Sequence, residues 1–153
     1  MMGFAMRMKL NDSIVKKETF RNTYIDGKRS GFEFKAQLAY YRGHFLSDID
    51  SLEVYLDGEK MPDWAITFEL NGKEMPLYKV YEAQTEFWSQ VNQATIRVVK
   101  AGGVADGDHE LDFRLMLRVP YMQIGPDHNF MPLDSGEKVT VHVEEVKEGK
   151  FDE

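Results

Sequence analysis

Seven stretches of the chain alternate apolar and polar residues with a period of two, and the turns between them are mostly of the Asp-Gly, Asn-Gly and Gly-Gly kind. The clearest runs Leu111, Phe113, Leu115, Leu117, Val119, with Glu110, Asp112, Arg114 and Arg118 on the other face. Successive side chains of a strand leave the pleat on opposite sides, so this period buries one face and wets the other. The chain therefore reads as all-β. A first strand is read from Phe4, Met6, Met8 and Leu10. The later candidates are Phe20 to Ile25, Phe32 to Leu38, Leu52 to Leu56, Ile66 to Leu70, Ala94 to Val99, Glu110 to Val119 and Val139 to Val146, with Leu77 to Tyr81 as a further one. Asp26-Gly27, Asp57-Gly58, Asn71-Gly72, Gly102-Gly103, Asp106-Gly107 and Ser135-Gly136 supply the tight turns. Short strands at this spacing predict an antiparallel two-sheet sandwich or jelly roll, in one domain over residues 1–153.

Two segments break the alternation. Glu82 to Gln93 carries Phe87, Trp88 and Val91 at helical spacing and is polar elsewhere, which suits either a short helix or, better, an irregular cover over one end of the core. Pro120 to Gly136 holds three prolines and two glycines and is expected to be a long loop, because proline donates no ladder hydrogen bond. Long loops inside compact domains are usually functional or disordered. The densest acidic run closes the chain as a charged C-terminal tail.

At 153 residues such a chain buries roughly two thirds of its unfolded surface without a covalent staple. It has no cysteine, which removes disulfides, thiolate nucleophiles and sulfur-ligated metals. Net charge is −7 with no basic stripe to neutralise phosphates, which argues against a nucleic-acid partner. No stretch approaches the ~20 apolar residues that span a bilayer, and the start has neither the basic region nor the cleavage site of a signal peptide. A soluble, cytoplasmic protein is expected.

Alternation assigns most residues to packing or solvation, and little is left for chemistry. His142 sits on the polar face of the last strand and His109 in a turn, both as ordinary surface residues. No His-x-His or His-x-x-x-His pair is present, so a cupin-like metal centre lacks its ligands and no metal site is expected in this chain. Asp48, Asp50 and Glu53 read as the solvated start of a strand rather than an acid/base pair. Gly102-Gly103 leads to a strand and not to a helix, so no phosphate loop is formed. His44 and His128 differ in being expected in loops. His44 belongs to Tyr40-Tyr41-Arg42-Gly43-His44-Phe45, and Arg and Tyr are over-represented at recognition surfaces; the plainer alternative is an aromatic cap on the sandwich. His128 follows Asp127 between Tyr121 and Phe130, but no nucleophile signature accompanies it. No catalytic residue is assigned. Tyr40, Tyr41, Arg42, His44, Phe45, Tyr121, Asp127, His128 and Phe130 are the candidates for facing a partner, and replacing Arg42 or His44 by Ala is expected to leave stability within ~1 kcal/mol.

Taken in order, Phe32-Glu33-Phe34-Lys35-Ala36-Gln37-Leu38, Tyr40-Tyr41-Arg42, Leu46-Ser47, Leu52-Glu53-Val54, Leu56-Asp57-Gly58-Glu59 with Pro62, Ile66-Thr67-Phe68 and Trp88 form a pattern that continues further along the chain. Its later parts are Ala94-Thr95-Ile96-Arg97-Val98, Gly102-Gly103-Val104, Gly107-Asp108-His109-Glu110-Leu111 and Val119-Pro120-Tyr121-Met122. Over about residues 31 to 122 the order and spacing resemble the small β subunit of bacterial C-glycoside deglycosidases. The resemblance implies a non-catalytic β-sandwich subunit bound to a larger, TIM-barrel-like α subunit, in a higher hetero-oligomer. It places a divalent metal, manganese, and the acid/base groups in that α subunit. It further implies a carbon–carbon lyase acting on 3-oxo-C-glycosides of aromatic aglycones such as flavonoids. Two other classes compete: a free-standing carbohydrate-binding module stacking sugars on Trp64, Trp88, Tyr40 and Tyr41, and an autonomous cupin-like metalloenzyme.

Overall fold

The computed structural model describes residues 14–38, 43–124 and 129–144, and for 119–124 and 129–132 the course of the backbone. The elements in chain order are β1 (Val15–Ile25), β2 (Lys28–Gln37), β3 (His44–Phe45), β4 (Ile49–Leu56), β5 (Glu59–Lys60), β6 (Ile66–Leu70), β7 (Lys73–Pro76), the single helical turn α1 (Leu77–Val80), β8 (Phe87–Trp88), β9 (Gln93–Val99), β10 (Gly107–Ile124), β11 (Asn129–Asp134) and β12 (Glu137–Val143). Short 3-10 turns at Leu46–Asp48 and Asp63–Ala65 lead into β4 and β6. Among these residues no helix is long and apolar enough to cross a membrane.

All pairing is antiparallel. One sheet runs β1-β2-β9-β6-β7, and the other runs β11-β10-β4-β5 with β12 also on β10; β3 and β8 make a small ribbon of their own. The sheets do not close into a barrel, and they pack face to face as a sandwich. Phe32, Phe34, Phe68, Ile96 and Val98 of the first sheet join Leu52, Val54, Leu111, Phe113 and Leu115 of the second in one buried cluster. Phe34 meets Phe113 edge-on at 5.6 Å across it. The hairpins β1–β2, β4–β5 and β6–β7 turn at Asp26-Gly27, Asp57-Gly58 and Asn71-Gly72, where both residues of each pair take positive φ. Positive φ at both positions is the turn that matches strand twist, and it selects Asp or Asn followed by Gly.

Two expectations are corrected. Pro120 to Gly136 is not a long loop: β10 continues to Ile124 and β11 pairs back on it from Met116↔Asp134 to Ile124↔Asn129. Pro120 falls in the register shift between Val119 and Gln123, where no ladder bond is required, and Pro132 lies on β11, the edge strand. Since β10 last pairs with β4 at Leu117↔Ile49, its remainder and β11 form a two-stranded arm beyond the sandwich. Leu77 to Tyr81 is not a strand either; Leu77 and Val80 are buried at helical spacing on α1. The segment 82–93 is the irregular cover, pinned where Phe87–Trp88 pairs with His44–Phe45. The expected strand Phe4 to Leu10 and the charged tail after residue 144 lie outside the described residues.

The chain crosses between the sheets on the β4–β7 side through the two 3-10 turns, and α1 with residues 81–88 closes that side. Leu46 N donates to Glu86 O at 2.9 Å, Ser47 N to Ala83 O at 3.1 Å, and Leu52 N of β4 to Tyr81 Oη at 3.1 Å. On the opposite side β1 lies against β12, and the backbone N–H groups of Ile14 and Val15 both donate to Glu137 Oε1.

Candidate functional site

β4 has a histidine–aspartate pair at each of its ends, and the two pairs differ in kind. At its start, β3 hydrogen-bonds to β8 and turns the side chain of His44 inward, where it is 3 % exposed. Its Nδ1 lies 3.7 Å from Asp48 Oδ2. Burial disfavours the imidazolium and outweighs the nearby carboxylate, so the His44 pKa falls below its usual value. His44 is thus a buried strand residue rather than the surface loop residue expected from the sequence, and its replacement removes core packing. Phe45, its neighbour, faces outward at 44 % exposure and packs edge-on against Phe87 at 5.1 Å. A Cβ on Gly43 would come within 2.6 Å of the Phe87 ring and of Trp88 O, so glycine at 43 lets this ribbon close. Arg118, at the base of the arm, donates to Ser47 O at 3.1 Å and pairs with Asp50 at 3.2 Å.

At the far end of β4, Asp57 Oδ1 accepts from Glu110 N at 2.9 Å and Asp57 Oδ2 faces His109 Nδ1 at 2.6 Å. His109 Nε2 lies 2.7 Å from Ala105 O. Both ring nitrogens face acceptors, so the doubly protonated ring satisfies both contacts. The His109 pKa is raised, chiefly by the bond to Asp57, and that of Asp57 is lowered by the same bond. His109 was expected to be an ordinary surface residue, but it ties the β4–β5 turn to residue 105 and the start of β10. The loop 100–106 is held further by Asn22, whose amide accepts from Val104 N at 2.7 Å and donates to Val104 O at 3.0 Å. Arg29 also donates to Val104 O and pairs with Asp106 at 2.6 Å. A cleft of about 510 Å³ beside this latch is lined by Arg29, Asp57, Glu59, Lys100 and His109. Within it Arg29, Asp57 and His109 are all engaged in bonds that hold the loop 100–106 and the β4–β5 turn.

Of the other candidates, Tyr40, Tyr41, Arg42, Asp127 and His128 lie outside the described residues, while Tyr121 sits on β10 and Phe130 on β11. Because the arm leaves the sandwich where β4 begins, the ribbon holding His44 and Phe45 and the hairpin holding Tyr121 and Phe130 share one end of the molecule. The sugar-stacking platform is not assembled: Trp88 is 1 % exposed, edge-on to Phe68 at 5.4 Å with its Nε1 donating to Asn92 O, whereas Trp64 is 81 % exposed. His142 is a surface residue, paired with Asp108 at 2.7 Å. Among the described residues no three His, Asp or Glu side chains could together hold a metal ion. The exposure of Tyr78 and Phe87 had no signal in the alternation, which cannot tell which residues cover the open side of a sandwich.

The sequence profile of the C-glycoside deglycosidase beta subunit family matches residues 10–121. A C-glycoside deglycosidase beta subunit of Eubacterium cellulosolvens is 33% identical over 117 residues, covering 74% of this chain and 78% of its own length. Another from Arthrobacter globiformis is 28% identical over 109 residues, covering 70% and 82%. A 3'-dehydrocarminate deglycosidase beta subunit from a Microbacterium species is 30% identical over 122 residues, covering 79% and 83%.

Proposed function

The chain belongs to the C-glycoside deglycosidase beta subunit family, and from that premise we propose that it is the accessory, non-catalytic subunit of a heteromeric carbon–carbon lyase. The match over residues 10–121, across both sheets, is the observation that carries this reading. Its substrate is a C-glycoside already oxidised at C3 of the sugar, which agrees with a relative named for a 3'-dehydro compound. The ketone acidifies the proton on C2. A base takes that proton, the C2–H electron pair becomes a C1–C2 double bond, and the C1–aglycone pair leaves with the aglycone, where it is protonated. An aromatic aglycone, as in flavonoids, spreads that charge.

Among the described residues no three side chains fit a divalent metal, and in keeping with the family resemblance manganese and the acid/base groups are assigned to a larger, TIM-barrel-like subunit. This chain touches function through the end of the sandwich where β3 and the arm meet. In this reading Phe45 and the β10–β11 arm face the larger subunit beside its active site, Arg42, outside the described residues, is a further candidate, and His44 holds the ribbon from behind. The test is co-expression with a larger subunit encoded by a neighbouring gene, size-exclusion chromatography, and assay on a 3-oxo-C-glycoside with metal analysis of each fraction. Co-elution is expected, with elimination in the complex alone and no stoichiometric metal in the isolated small subunit. Separate elution at micromolar concentration, or elimination by the small subunit alone, overturns the reading.

A further inference from the structure

Apolar exposure is unevenly spread. The outer face of the first sheet is a charge ladder that uses every strand: Arg21 of β1 pairs with Glu33 of β2 at 2.7 Å, and Arg97 of β9 pairs with Glu33 and with Glu69 of β6, each at 2.8 Å, and with Glu74 of β7. The second sheet's outer face is similar, with Arg114 paired to Asp112 at 3.0 Å and lying over the Tyr55 ring at 4.1 Å, and Lys60 paired to Glu53 at 3.6 Å. Faces whose charges are already paired within the chain offer a partner little apolar area. Five of the large exposed apolar residues, Phe45, Trp64, Tyr78, Phe87 and Val91, lie instead on the β4–β7 side, on the connections that close it.

Two of them form a fixed pair of anchors. Trp64 stands on the 3-10 turn Asp63–Ala65, between Pro62 and the buried Ala65, and is 81 % exposed. Tyr78 stands on α1 next to the buried Leu77 and is 64 % exposed, and α1 lies against that 3-10 turn. Both side chains are carried by short elements anchored in the core, the 3-10 turn through Ala65 and α1 through Leu77 and Val80, so little ordering is needed on binding. Among the described residues neither the indole N–H nor the phenol O–H has a hydrogen-bond partner. Trp and Tyr with apolar bodies and unsatisfied polar tips are the residues that dominate interface energies.

We infer that the β4–β7 side docks on the larger subunit, with Trp64 and Tyr78 inserted as its anchors. The inference rests on the reading of this chain as one subunit of a complex. That reading supplies the occupant, and from Tyr78 the chain runs on through residues 81–86, which bond to Leu46 and Ser47 beside Phe45, to Phe87, at the end proposed above to face the partner. The matching surface on the larger subunit is an apolar recess with hydrogen-bond acceptors at its rim. Tyr24 and Ile25, before the β1–β2 turn, and Val99, at the end of β9, are exposed as well and give a comparison on the same molecule.

The experiment measures the affinity of the larger subunit for the parent chain, for Trp64→Ala, for Tyr78→Ala, for Ile25→Glu and for the sheet-face variant Lys138→Glu, with a melting curve for each. Trp64→Ala and Tyr78→Ala are expected to weaken association roughly tenfold or more without shifting the melt, while Ile25→Glu and Lys138→Glu bind as the parent does. Parent-like binding by both aromatic variants, or loss of binding in Ile25→Glu or Lys138→Glu, overturns the inference while leaving the subunit reading intact. No binding by the parent chain itself overturns both. Should Trp64→Ala melt early, Trp64→Phe keeps the apolar ring without the indole N–H, and binding as tight as the parent's then counts against the anchor.

Discussion

The two ends of β4 are held by opposite chemistry. At its start, His44 is buried and desolvation disfavours its charged form; at its end, His109 lies between a carboxylate and a carbonyl that favour its charged form. Packing fixes the first end, and charge-assisted hydrogen bonds fix the second. The difference teaches that a histidine beside an aspartate is not by itself a chemical site. His44–Asp48 and His109–Asp57 each set an imidazole beside a carboxylate, yet desolvation governs the first and hydrogen bonding the second.

The sharpest way to break the comparison is to remove its apolar half. Trp88→Ala should cost about 3–5 kcal/mol in urea unfolding, since it empties a site buried against Phe68; a loss under ~1 kcal/mol would show that the aromatic end is held by something else. Next comes the polar half. Asn22→Ala should cost about 1–3 kcal/mol, because it leaves the N–H of Val104 without its side-chain partner in a buried setting, while the Val104 carbonyl keeps Arg29 as a donor. Amide exchange should then quicken in residues 100–106 and stay unchanged in β3 and β8.

The smallest effect sharpens the comparison through pH. A raised pKa in the folded state means that the stability His109 contributes is complete below its unfolded value, about 6.5, and is lost as pH rises through the folded value. A lowered pKa reverses the sign for His44: the contribution is present above about 6.5 and is lost as pH falls toward the folded value. Melting curves of His109→Gln should therefore lose the decline on the alkaline side and keep the one on the acid side. Two-dimensional NMR should show the two imidazoles titrating on opposite sides of 6.5, and titration of both on one side would refute the contrast.

The strands were legible because alternation reports burial directly. Ile66 to Leu70 is a strand with the bounds read from sequence, and three of the four Asp-Gly or Asn-Gly pairs take positive φ at both residues, Asp106-Gly107 doing so at the glycine alone. Prolines misled the reading at Pro120 and Pro132, since a chain of letters does not reveal which strand is an edge or where the register slips. His44 misled it for a related reason. Two residues are too few to show a period, so the inward turn that β8 imposes was invisible. The His109 latch joins residues 52 positions apart and becomes visible only once β4 and β10 are paired.

The order of strands in the first sheet also dictates how the chain must acquire its structure in time. The β1–β2 and β6–β7 hairpins close locally, on the order of 1–10 μs, but a lone hairpin is marginal in water. β9, made after both, is the strand between them, pairing Gly31 with Val99 on one side and Ile66 with Val98 on the other. On a ribosome the two halves of the sheet thus wait with their facing edges unpaired, and the sheet can be completed only after Val99 has emerged.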